Sequence, residues 1–74
     1  MLIEDIWKEI HAAFANNRGY RPDYIVLPTK EKPDLLDQDC NGTVFDREMK
    51  TCFGIRVIWD PYETKIKFLY ETKH

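Results

Sequence analysis

The sequence predicts an α+β fold, in which an N-terminal amphipathic helix packs on a small, mainly antiparallel sheet that ends in a C-terminal β-hairpin. Three observations carry this reading. One apolar stripe recurs at three- and four-residue spacing near the start of the chain, strand-type alternation fills the last third, and 74 residues leave room for a single domain. A chain of this length buries only about 60% of the surface its unfolded form exposes. With 43% hydrophobic and 14% aromatic residues it nevertheless has the composition of a chain with a packed core.

The first element is "LIEDIWKEIHAAF". Ile3, Ile6, Trp7, Ile10, Ala13 and Phe14 share one helix face, while Glu4, Asp5, Lys8 and Glu9 take the other. The spacing predicts a helix over about residues 2–16, with acidic residues in its first turn, where they favour the positive helix end. Asn16, Asn17 and Gly19 supply residues that tolerate a left-handed termination. Pro22 then forces Arg21 out of helical geometry. "YIVL", residues 24–27, is a short continuous apolar run and reads as a buried strand that Pro28 ends. "TKEKPDLLDQ" predicts a helix of one or two turns starting near Thr29 or Lys32, with Pro33 in its first turn and Leu35 and Leu36 on its buried side.

Residues 53–71 predict the hairpin. Ile55, Val57 and Trp59 alternate on one face of a first strand, and Ile66, Phe68 and Tyr70 on one face of a second. Asp60-Pro61-Tyr62-Glu63 forms the type I turn between them. The alternation places Trp59 in the core and leaves Tyr62 exposed at the turn.

The formal charge is −2, and its distribution is uneven. Residues 1–32 are neutral, residues 33–48 carry −4 and residues 49–74 carry +2. No basic patch dominates, which argues against a nucleic-acid groove. No apolar run reaches the length of a membrane span, and the N-terminus lacks the charged-then-apolar order of a signal peptide. Cys40 and Cys52 are too few for a disulfide scaffold and, with His11 and His74, make no zinc spacing. They read as reduced thiols of a cytoplasmic protein, with a single Cys40–Cys52 bridge as the alternative.

The acidic segment contains Asp-x-Asp-x-Asn-Gly followed, after five residues, by Glu, which resembles an EF-hand loop over twelve residues. Oxygens would come from Asp37, Asp39, Asn41, the Thr43 carbonyl and Glu48, with Gly42 at the sharp turn. Phe45 stands at the ninth position and brings no side-chain oxygen. Such a loop needs a helix at each end, and the flanks predict only a short helix before it and strand-rich sequence after it. Two readings follow. In one, Asn41-Gly42 makes an Asx/Gly turn among solvated carboxylates and no cofactor is bound. In the other, the loop is a weak calcium site, with affinity on the order of 10⁻⁴ M.

Catalytic groups are sparse. The chain has no serine, so serine nucleophiles are excluded, and three glycines make no phosphate-binding loop. His11 lies at the edge of the helix stripe, His74 is the last residue, and nothing in the sequence brings a cysteine to either. These features predict a non-catalytic protein. A protein partner or a further copy of the chain would meet Asp34, Asp37, Asp39, Asp46, Glu48 and Tyr62, with nucleic acid and membrane excluded as partners.

The order of elements resembles the axial domain of tailed-phage major capsid proteins. In that family a helix leads to a strand with Pro-Asp before it and Pro after it, and a later strand carries an aromatic, Gly, aliphatic, x, Val signature ending in Asp-Pro. Pro22, Asp23, Ile25, Val26, Pro28, Phe53, Gly54, Ile55, Val57, Asp60 and Pro61 carry the match, over about residues 3–61. Arg56 stands where the family often has proline, and 74 residues hold no spine helix, extended loop or N-terminal arm. The resemblance implies a phage or prophage origin and a small accessory module.

Overall fold

The computed structural model describes residues 1–71. Helix α1 runs Ile3–Asn16, strand β1 Tyr24–Pro28, a 3-10 turn Thr29–Glu31, helix α2 Lys32–Gln38, strand β2 Thr51–Cys52, strand β3 Ile55–Asp60 and strand β4 Lys67–Leu69. The fold is α+β, with the helices as expected and a four-stranded mixed sheet in the order β2-β3-β1-β4.

That order corrects the predicted hairpin. β3 and β4 do not pair with each other, because β1 lies between them, parallel to β3 and antiparallel to β4. Two of the three pairings are antiparallel, yet the longest, Tyr24–Pro28 against Arg56–Asp60, is parallel. The physical reason lies in β1 itself. A continuous apolar run suits an interior strand with a partner on each edge, and Ile25 to Pro28 are all buried. The link of residues 61–66 therefore crosses two strand spacings, about 10 Å, over the buried end of β1. The tight hairpin of this fold is instead β2–β3, where Cys52 faces Ile55 across Phe53 and Gly54. Both turn residues have positive φ, 51° and 80°, the signature of a type I′ turn.

One face of the sheet holds the core. Ile6 and Ile10 of α1, Ile25 and Leu27 of β1 and Leu35 of α2 pack with Phe45, Met49, Cys52 and Ile55. Leu36 does not join them and is 55% exposed, because a helix of two turns presents only one of two adjacent residues to the sheet. Trp59 packs against this cluster as expected, with its indole N–H donating to the Met49 carbonyl at 2.9 Å.

Helix α1 ends in a bond from the Gly19 N–H to the Phe14 carbonyl at 2.9 Å, as in a Schellman motif, with Arg18 rather than an asparagine in the left-handed conformation (φ 55°). Its start has no local side-chain cap. Gln38, at the end of α2, caps it from a distance: Gln38 Oε1 accepts from the Ile3 N–H at 2.8 Å, while Nε2 donates to the Met1 carbonyl at 2.7 Å. Loss of such a cap costs about 1 kcal/mol.

Candidate functional site

Asp39 follows α2 directly, and its carboxylate turns back over the next residues. Oδ1 accepts from the Thr43 N–H at 3.0 Å, Oδ2 from the Phe45 N–H at 2.9 Å, and the Val44 N–H is shared between the two at 3.2 and 3.3 Å. These donors, the Phe45 N–H foremost, hold the carboxyl below the ordinary carboxylate value against the opposing effect of desolvation. Gly42, at φ 63°, lets the chain fold back so that its N–H reaches the Asp39 carbonyl at 3.0 Å. Asp46 repeats the device, its Oδ1 accepting from the N–H groups of Lys50 at 2.6 Å and Thr51 at 3.2 Å.

The segment is thus tied by its own carboxylates. Phe45 is buried, bridges to Cys52 and stacks on Trp59 with ring centroids 6.1 Å apart. A seven-residue helix enters the segment, and turns leading to β2 leave it, so it lacks the second helix of an EF-hand. Among the described residues no three His, Cys, Asp or Glu side chains gather in a group able to hold a metal ion. Asp37, Asn41 and Thr43 are exposed, and Glu48 pairs with Lys50 at 2.6 Å.

The remaining expected contact residues are spread over three elements. Asp34, on α2, accepts from Gln38 Nε2 at 3.0 Å and lies 3.7 Å from the Met1 amino group. Asp37, Asp46 and Glu48 are at the surface, whereas Asp39 is half-buried and committed to the backbone. Tyr62 sits on the separate link 61–66 and is 93% exposed. Asp60 Oδ1 accepts from the Tyr62 N–H at 2.9 Å, and the Asp60 carbonyl from the Glu63 N–H at 3.3 Å, so the turn beneath the phenol is pinned. Glu63 in turn pairs with Lys67 at 2.8 Å.

Both cysteines are free thiols, Cys40 exposed and Cys52 buried. Desolvation, and secondarily the charge of Asp39, pushes the Cys52 thiol up to about 12, which keeps it protonated and poorly nucleophilic. His11 packs edge-on against Trp7, ring centroids 4.2 Å apart, while Cys40 Sγ faces the Asp37 carbonyl at 3.3 Å. His74 lies outside the described residues.

One surface escaped the sequence reading. Trp7, assigned to the buried stripe of α1, is 46% exposed and lies against Phe53 with ring centroids 4.8 Å apart. The available signal was Phe-Gly at a tight turn where Asn-Gly or Asp-Gly is the favoured pair.

Comparison with protein-family models, with curated proteins and with solved structures gave no match to this chain. Among the described residues no helix is long and apolar enough to cross a membrane.

Proposed function

We propose that this protein is a non-catalytic, cytoplasmic binding module that acts by docking to another protein or to a further copy of itself. The reading is supported above all by Tyr62, a phenol almost wholly in solvent on a turn that Asp60 holds in place. A large amphipathic side chain with only two side-chain torsions, carried on a pinned backbone, loses little conformational freedom on binding, which is the property of residues that anchor interfaces. The exposed carboxylates of Asp34, Asp37, Asp46 and Glu48 add a negative surface that would speed the approach of a basic partner. Asp39 is left out of this surface because it is half-buried with both oxygens serving the backbone, whereas Asp46 is exposed and commits only Oδ1. The likeness of residues 3–61 to a phage capsid axial domain adds that the module is a phage or prophage accessory protein.

The test is affinity capture from host extract with two baits in parallel. One is the wild-type chain and the other carries D34N, D37N, D46N, E48Q and Y62A. A partner held by the first and lost by the second supports the reading. A partner held equally by both removes this surface from the interaction.

A further inference from the structure

The turn between β2 and β3 is built with an unfavourable residue. Phe53 has φ 51°, a left-handed conformation that costs any side chain with a Cβ and is uncommon for a bulky one. Such strain persists where the residue is needed for something else. Here the ring leans on Trp7 and helps to wall a surface groove of about 290 Å³, completed by Ile10, His11, Phe14, Arg21 and Ile55. The groove is apolar except for His11 and the Arg21 guanidinium. Arg21 Nη2 donates to the Phe53 carbonyl at 3.4 Å, and Arg21 forms no ion pair among the described residues. On its far side Arg21 borders a second hollow with Arg56, also without an ion pair, and with Asp23 and Glu71, of which Asp23 accepts from the Glu71 N–H at 2.6 Å.

We propose that the groove between α1 and the β2–β3 turn docks an aromatic side chain of a partner protein that lies next to a carboxylate, the ring resting on the surface that the touching Trp7 and Phe53 rings form together and the carboxylate meeting Arg21. Charge complementarity selects this occupant. A guanidinium is built for carboxylate, this one leans on the Phe53 carbonyl at the groove wall, and no described carboxylate lies within ion-pair distance of it. The floor accepts a ring, edge-on or offset against Trp7. The groove holds one side chain and has one arginine at its wall, whereas a nucleic-acid strand needs a basic track for its backbone, and this chain carries a net charge of −2. The site is separate from the acidic segment and stands whether or not that segment binds.

The test uses the full chain labelled with ¹⁵N and three end-capped tripeptides, Asp-Phe-Asp, Asn-Phe-Asn and Asp-Ala-Asp. Asp-Phe-Asp is expected to shift the Trp7 indole N–H and the Gly54 amide in a saturable way. The other two should bind about fivefold more weakly, the worth of one exposed charge-assisted contact or one small apolar contact. Phe53→Asn, which suits the turn better, should keep cooperative unfolding and lose the shifts. Arg21→Gln should equalise Asp-Phe-Asp and Asn-Phe-Asn. The inference is overturned if no tripeptide moves these resonances, if Arg21→Gln leaves the preference intact, or if a thymidine oligonucleotide shifts the groove more strongly than Asp-Phe-Asp.

Discussion

Replacing Asp39 by Asn tests whether the acidic segment is held by its own carboxylate. The side chain accepts from three N–H groups. Asparagine keeps one acceptor and turns an amide N–H toward the donors that the second oxygen served. A hydrogen bond to a charged group contributes roughly 1.5–3 kcal/mol, but the exposed Thr43 N–H finds water when released, so the expected loss is about 2 kcal/mol. Against a total of roughly 3–5 kcal/mol for a domain of this size, that is about half. It would lower Tm by about 8–16 °C. The effect must also depend on pH. Because the folded carboxyl lies below its ordinary value of 3.8, its contribution is complete above that value and disappears as pH falls through the folded value. Urea unfolding followed by tryptophan fluorescence, at pH 7 and then at stepwise lower pH to the acid limit of the folded protein, measures both. A variant within about 0.5 kcal/mol of wild type at pH 7, the range of an ordinary surface change, refutes the argument. So does a deficit that stays constant down to the acid limit of the folded protein.

Two further outcomes follow from the same segment. At pH 8 a thiol reagent should label Cys40 quickly and Cys52 only on unfolding, since Cys52 is buried with its thiol pushed up to about 12; equal native rates would contradict the packing of β2. Calcium at millimolar concentration should leave the amides of Thr43, Val44 and Phe45 unmoved, because the Asp39 oxygens are already bonded to them, and a saturable shift confined to residues 37–48 would restore the metal reading.

How much the sequence disclosed differs from element to element. α1 was legible because its stripe is long enough to fix the period, and α2 because Pro33 marks its first turn. The strands were legible as strands but not as neighbours. Alternation in Ile55–Trp59 and Ile66–Tyr70 says which face each residue takes, and nothing about which edge pairs with which. The deciding information was in β1: four apolar residues in a row demand partners on both sides, which excludes the edge position that a 55–70 hairpin would leave to it. The turn at Asp60-Pro61 was real, but it opens a crossing link. The spelling of the acidic segment was equally real, and its use was not legible. Spacing states where the carboxylates fall along the chain, whereas the bonds each one makes depend on how sharply the chain folds back, and here Asp39 accepts from three backbone N–H groups. The cap from Gln38 onto Ile3 joins positions 35 apart and leaves no local trace.

The strand order also decides how the two proposed contact points relate. β3 begins just after the Phe53–Gly54 turn and ends just before the turn that carries Tyr62. Its six residues extend about 16–20 Å, so the groove and the phenol stand at opposite ends of one strand. Groups that far apart, with no contact between them and no common neighbour in the chain, contribute additively. A single partner that spans both ends would therefore lose the sum of the two effects in a Y62A/F53N double variant. Had the last two strands formed a hairpin, the turn would have stayed at one edge of the sheet. With β1 between them, the link has to cross the end of the central strand. Asp60 pins that crossing, and the pinned crossing lifts Tyr62 into solvent.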